Sequence, residues 1–188
     1  MRIISGQHKG RKISAPKQLP IRPTTDMAKE ALFNIINNQY YLDEISVLDL
    51  FSGSGNISYE FASRGVNAIT AVEIHAGCTQ FISEMAEKLD MPIEVIKSDV
   101  FAYLQKTPKK FNIIFADPPY ALPIEEFQQI AQMAFQKELV LEGGILVIEH
   151  EKHMDLSETP NFREARRYGS SVFSFFENKK KQAISRIL

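Results

Sequence analysis

The sequence predicts an α/β chain: a doubly wound, seven-stranded, mostly parallel sheet of Rossmann-like class, ending in an antiparallel hairpin and preceded by a small N-terminal β-hairpin extension. Three observations predict it. Short apolar runs alternate with helically spaced segments between residues 46 and 149, the pattern of parallel strands joined by helical crossovers. A glycine loop follows the first of those runs directly, where doubly wound sheets bind ligands. Two β-rich runs separated by a few residues including Gly169 close the sequence, a hairpin spacing.

Taken in order, residues 1–14 read as a hairpin, with Arg2-Ile3-Ile4 and Lys12-Ile13 flanking the turn formers Ser5-Gly6 and Lys9-Gly10. Pro16, Pro20 and Pro23 make an extended linker, because each proline biases its predecessor away from helix. Thr24 or Thr25 caps a helix that carries Ala28, Leu32, Phe33, Ile35 and Ile36 at helical spacing to Asn37-Asn38, with Asp26 in its first turn. Strands follow at Val47–Phe51, Ala68–Ile74, Ile93–Ile96, Phe111–Ala116 and Ile145–Glu149. Helices follow at 56–64, 77–89, 100–106 and 124–136. The closing hairpin pairs Phe162–Arg167 with Val172–Phe176.

The chain has 188 residues, 44% hydrophobic and 24% charged, which excludes disordered, collagenous and low-complexity classes. Its one cysteine, Cys78, forbids an internal disulfide framework and is read as core. No apolar stretch reaches the length of a signal peptide or a membrane span, so a soluble, cytoplasmic protein is expected. The sequence is silent on oligomeric state, with a monomer the favoured expectation. The net charge of −1 hides an uneven distribution. Residues 1–22 hold six basic groups and no acid; residues 161–188 hold seven basic and two acidic; the middle holds nine basic and 21 acidic. Basic ends on an acidic body suit a polyanionic partner.

The loop Asp49-Leu50-Phe51-Ser52-Gly53-Ser54-Gly55 lets backbone approach a ligand at a strand end, ahead of a helix N-terminus with unsatisfied N–H donors. A dinucleotide fingerprint needs a third glycine where this chain has Ser58. Glu73 ends the second strand, 18 residues beyond Gly55, placed for ribose hydroxyls; Asp99, in Ser98-Asp99-Val100, ends the third, placed for an adenine amino group. Asp49 sits among apolar neighbours and needs donors, from the loop N–H groups or from a cationic ligand. That acid suits a sulfonium amino acid better than a pyrophosphate.

The fourth strand runs into Ala116-Asp117-Pro118-Pro119-Tyr120. Consecutive prolines cannot extend a central ladder, and they fix a rigid turn rich in acceptors. An exocyclic amine on a nucleobase is a poor nucleophile because its lone pair is delocalised. Hydrogen bonds from its N–H groups to the Asp117 carboxylate and Pro118 carbonyl would raise electron density on nitrogen and aim it at an electrophilic methyl. Tyr120 could stack on the base.

These residues resemble the class I S-adenosylmethionine-dependent amino-methyltransferases of nucleic-acid bases. Arg22-Pro23-Thr24-Thr25-Asp26, preceded by Ile3-Ile4-Ser5-Gly6 and Lys9-Gly10-Arg11-Lys12, narrows the resemblance to the bacterial RsmD family, which methylates N2 of a guanine in 16S ribosomal RNA. The resemblance spans nearly the whole chain and departs at Met27, where the family commonly has a basic residue. It implies S-adenosylmethionine bound by Asp49, Phe51, Gly53, Ser54, Gly55, Glu73, Ile74, Asp99 and Val100, and methyl transfer at Asp117, Pro118, Pro119 and Tyr120. It implies no metal and no covalent enzyme intermediate. Residues 1–24 would be a basic hairpin and linker holding RNA through His8, Lys9, Arg11, Lys12, Arg22 and Thr24, and residues 25–188 the methyltransferase domain. The partner would be 16S ribosomal RNA, free or in a 30S assembly intermediate.

Other functions share some of these motifs. An adenine-N6 methyltransferase of DNA or RNA shares both motifs, but no target-recognition insertion is visible. A nicotinamide-dependent dehydrogenase lacks its third glycine and has no use for the Asp-Pro-Pro-Tyr turn. A non-catalytic RNA-binding module would waste that turn. His150 and His153, beside Glu149 and Glu151, lack metal-ligand spacing.

Overall fold

The computed structural model describes residues 1–20 and 24–179; Arg22, Lys180, Lys181 and Arg186 lie outside the described residues. Helix α1 spans Asp26–Asn37, and of the two threonines Thr25 is its cap, accepting the Ala28 N–H at 3.2 Å. Strand β1 spans Ser46–Leu50, α2 Asn56–Ser63, β2 Ala68–Glu73, α3 Ala76–Lys88 and β3 Ile93–Lys97. Then come α4 (Val100–Lys106), β4 (Phe111–Ala116), α5 (Ile124–Gln136), β5 (Val140–Glu151), β6 (Phe162–Tyr168) and β7 (Ser171–Glu177).

The strands lie in the order β3-β2-β1-β4-β5-β7-β6. The first five are parallel, and β7 pairs antiparallel with both β5 and β6. The side chains divide into two cores. Val47, Ile113, Phe115 and Val147 pack with α1, α2 and α3 on one face; Leu48, Leu50, Ile114 and Leu146 pack with α4 and α5 on the other. Strands β1, β2 and β4, covered on both faces, read as largely apolar runs, which is why the sequence shows them plainly.

Two features differ from the sequence expectation. Strand β5 begins at Val140 rather than Ile145, because its pairing to β4 jumps between Phe111 and Ile113. Gly143, at φ 75°, sits in the extra residues of that bulge, so the glycine pair interrupts the ladder without ending the strand. A 3-10 turn at Leu42–Glu44 was not anticipated.

The N-terminal arms close through a single antiparallel bridge, Arg2 to Lys12, with Ile3 and Ile13 buried in the first core. The ladder stops there because the next N–H groups have another acceptor. Ile4 and Ser5 donate to the Glu60 carboxylate of α2, at 2.8 and 3.1 Å. Near the far end of the same helix, the Gln7 N–H donates to the Ser63 carbonyl at 2.7 Å and the His8 N–H to Ser63 Oγ at 2.9 Å. Gly6 fits because a Cβ there would stand 1.8 Å from the Ser63 carbonyl oxygen. Among the described residues no helix is long and apolar enough to cross a membrane.

Candidate active site

The strand order reverses direction between β1 and β4, and the crevice outside their carboxyl ends is where doubly wound sheets take ligands. Leu50 is registered with Ala116, so the glycine loop and the Asp117 turn leave the sheet side by side. The Asp117 N–H donates back to the Leu50 carbonyl at 3.4 Å. Across the sheet, Asp99, Glu73, the loop and Asp117 follow the ends of β3, β2, β1 and β4 in spatial order. Strands are about 4.8 Å apart, so these four ends form a row about 14 Å long.

The loop is a sharp reversal. Phe51, Gly53 and Gly55 all have positive φ, at 57°, 54° and 83°. A left-handed phenylalanine costs roughly 1–2 kcal/mol, strain of the kind held at binding sites. Ser52 stabilises the turn: its hydroxyl donates to the Asp49 carbonyl at 2.7 Å and to the Val72 carbonyl at 3.2 Å. Gly55 caps α2 with no side-chain cap, unlike α1, α3 and α4. Beneath it lies the Tyr59 ring, 2.7 Å from where a Cβ would stand.

Asp49 is buried, but its donors are not those expected from the loop. Ser58 supplies both, its backbone N–H at 3.1 Å and its hydroxyl at 2.6 Å, to Asp49 Oδ2. Ser58 holds the place of the missing third glycine, so the departure from the dinucleotide pattern has a purpose: it solvates the acid under the loop. Burial pushes the Asp49 carboxyl up to about 7, against the pull of the Ser58 bonds and with a further push from Glu73. A buried acid, an uncapped helix start and a glycine cradle fit a ligand with an amino-acid end: the acid suits its ammonium, and the free N–H groups of the helix suit its carboxylate.

Glu73 ties the neighbouring strand to the loop, accepting the Gly53 N–H at 2.9 Å on one oxygen and the His75 N–H at 2.9 Å on the other. Each oxygen keeps a lone pair for a hydroxyl donor. Ile74, next in the chain, is 63% exposed and offers an apolar rim. Asp99 caps α4 through Oδ1, which accepts the Ala102 N–H at 2.9 Å, and Val100 packs into the second core. In the Asp117 turn Pro118 is buried, while Pro119 and Tyr120 face outward.

Sequence reasoning set Glu149 aside with the histidines near it. It is buried near the carboxyl end of β5, the strand beside β4, and accepts the Ser171 hydroxyl at 2.8 Å and the Thr24 hydroxyl at 3.4 Å. Thr24 is thereby brought to the rim of the crevice. Its neighbour His150 belongs to the core: Nε2 lies 2.7 Å from Ser174 Oγ, Nδ1 lies 2.9 Å from the Glu151 carbonyl, and burial lowers its pKa. Among the described residues no cluster of three or more His, Cys, Asp or Glu could hold a metal.

The proposed RNA-contacting residues are not all near this crevice. Met1 stands by the loop, with Ser54 Oγ 3.7 Å from Met1 Sδ, and the Arg2 carbonyl is tied through Lys29 to Asn56, the residue after Gly55. His8 and Lys9 lie by Ser63, at the other end of α2, about 12 Å away along an eight-residue helix.

The chain and its fold are similar to those of known proteins. Residues 1–177 match the family described as conserved hypothetical protein 95. The chain is 30% identical, over 161 residues, to the ribosomal RNA small subunit methyltransferase D of Buchnera aphidicola subsp. Baizongia pistaciae, covering 85% of this chain and 81% of that one. It is 35% identical over 121 residues to the Escherichia coli K12 protein of the same name, covering 64% and 60%. The structure of a hypothetical protein of Thermus thermophilus superposes with a TM-score of 0.82 at 26% identity, covering 94% of this chain and 99% of the other. The chain therefore belongs to the conserved hypothetical protein 95 family, the RsmD family of methyltransferases.

Proposed function

We propose that this protein methylates the exocyclic N2 amine of a guanine in small-subunit ribosomal RNA, using S-adenosylmethionine. The observation that carries the reading is the side-by-side exit of the glycine loop and the Asp117-Pro118-Pro119-Tyr120 turn at the reversal of strand order. The names of the relatives support ribosomal RNA as substrate and methyl transfer as the reaction.

The cofactor supplies a methyl group on a positively charged sulfur, an electrophile. The chain's residues do the rest. Asp49 and the start of α2 hold its amino-acid end, Glu73 its ribose hydroxyls, and Asp99 with Ile74 and Val100 its base. Phe51, Gly53, Ser54 and Gly55 let the backbone close against it. Asp117 and the Pro118 carbonyl accept the two N–H groups of the guanine amine, which concentrates its lone pair and directs it along the row toward the loop. Pro119 stiffens that turn, and Tyr120 stacks on the displaced base. The proton that nitrogen sheds goes to Asp117 or to water.

Residues 1–24 form the RNA-holding extension, through His8, Lys9, Arg11, Lys12, Arg22 and Thr24, and residues 25–188 the catalytic domain. The protein works as a cytoplasmic monomer, on free 16S RNA or on a 30S assembly intermediate. The test is transfer of isotopic methyl into naked 16S RNA, partly assembled 30S particles and duplex DNA, followed by mass spectrometry of the modified base. N2-methylguanine from RNA or particles is expected. N6-methyladenine, or label in DNA alone, overturns the guanine assignment.

A further inference from the structure

The single bridge of the N-terminal hairpin puts two cations face to face. Ile3 donates its N–H to the Arg11 carbonyl at 2.9 Å, and Ile13 donates to the Met1 carbonyl at 3.0 Å. Those bonds flank Arg2 and Lys12, which makes them a non-hydrogen-bonded antiparallel pair, the kind whose side chains stand closest. Like charges directly opposite are destabilising. Both side chains are exposed, and they share a depression of about 420 Å³ lined by Met1, Arg2, Lys12, Ile13, Ser14 and Asp26. Asp26 is the one acid of that lining, and it is engaged: its Oδ2 accepts Arg2 Nε at 3.1 Å and Nη2 at 3.0 Å. Among the described residues, Lys12 is left as excess positive charge beside the Arg2 guanidinium.

The backbone under this pair is held firmly. Lys29 Nζ, buried, donates to the Arg2 carbonyl at 2.6 Å and to Asn56 Oδ1 at 2.9 Å, and pairs with Glu60 Oε2 at 3.3 Å. All three of its donors are used. Asn56 is the first residue of α2, immediately after Gly55, so one ammonium fixes Arg2 relative to the glycine loop. Buried ion pairs add little stability over apolar packing; what this one supplies is position.

We propose that Arg2 and Lys12 form a seat for one phosphodiester of the RNA backbone, at the loop side of the crevice. This rests on the methyltransferase reading above and locates the substrate contact within it. The seat lies at the end of the segment near the glycine loop, whereas Lys9 lies at the opposite end of α2 beside Ser63. A phosphate between the two cations relieves their repulsion and fixes the RNA's register without reading its sequence.

The test compares two charge-matched double variants of the full chain, Arg2→Gln with Lys12→Gln and Lys9→Gln with Arg11→Gln. Binding of a 16S RNA transcript is measured by filter retention over a potassium chloride series, and S-adenosylhomocysteine affinity by calorimetry. The Arg2/Lys12 variant is expected to bind several-fold more weakly. Its slope of log K against log salt should be shallower by about 0.7–0.9, the share of one phosphate. The Lys9/Arg11 variant should keep more of the slope, and both should keep the parent's S-adenosylhomocysteine affinity. Equal slope losses in the two variants overturn the seat, as does a parallel loss of S-adenosylhomocysteine affinity. Binding is read without methyl transfer, so a failed seat leaves the proposed reaction standing. A parent that labels no RNA sinks the reaction and leaves the slope comparison valid.

Discussion

The stability of the protein without cofactor should fall as pH rises toward neutrality, because of Asp49. Its carboxyl is moved from 3.8 to about 7 by burial under the loop. An acid raised in the folded state keeps its proton longer there than in the unfolded chain. Its contribution is therefore full below about pH 4 and is lost as pH climbs to about 7. Each pH unit in that window is worth about 1.4 kcal/mol, so the span of about three units amounts to about 4 kcal/mol. The group is fully buried, which leaves little solvent screening to reduce it. Ligand binding should show the opposite sign. A cationic amino group beside Asp49 favours its ionised form, so S-adenosylhomocysteine should bind more tightly up to about pH 7 and level off above it. The assay is urea unfolding between about pH 5 and about pH 8 for the parent and Asp49→Asn, with calorimetric titration of S-adenosylhomocysteine. Asparagine keeps an acceptor for Ser58 and removes the titration. The informative quantity is the difference between the two profiles, which cancels every other group. Parallel profiles would show that Asp49 does not titrate in this window and that burial under the loop does not raise it.

Three further outcomes are expected. Asp117→Ala should lower kcat by about a hundredfold or more while S-adenosylhomocysteine affinity stays at the parent value; near-normal turnover removes Asp117 from the reaction. Gly55→Ala should lose about 1–3 kcal/mol in urea unfolding, because the position has φ 83° and a new Cβ would stand 2.7 Å from the buried Tyr59 ring; an unchanged midpoint would mean that the ring yields. Lys29→Met should cost about 3 kcal/mol, the low end for breaking a buried pair, since Glu60 keeps Arg64 at 2.8 Å; a loss below about 1 kcal/mol would show that the pair is not a structural clamp.

The legible parts of this fold are those whose signal is local. Strands β1, β2 and β4 are short, largely apolar runs bounded by turn residues, the edge strand β3 still carries Ile93, Val95 and Ile96 beside its two charges, and the helices between them carry apolar residues at helical spacing, so each is visible in its own window. The start of β5 was not, because Gly143 and Gly144 look like a boundary until the register with Asn112 is known. The site divides in the same way. The glycine loop and the Asp117 turn are legible singly, as rigid backbone at strand ends. The bonds from Ser58 to Asp49 depend on α2 folding back over β1, and no window of sequence contains that contact.

Charge shows the limit most clearly. Lys29 lies one turn before Leu32 and Phe33 on an apolar helix face, and Glu60 lies between the buried Tyr59 and Phe61. Each alone reads as one more surface charge, yet together they anchor residues 2–5 to the helix that carries the loop. The count of basic residues at the N-terminus treats them as one patch. Anchoring separates them, for the docking of Gln7 and His8 on Ser63 carries Lys9 away from the crevice while Arg2 stays beside it. The middle of the chain is net acidic and works against a polyanion, so the cations near the crevice weigh on its orientation. Two cations fixed a bridge apart specify where a phosphate stands, whereas the same charges on a loose tail would only raise its local concentration.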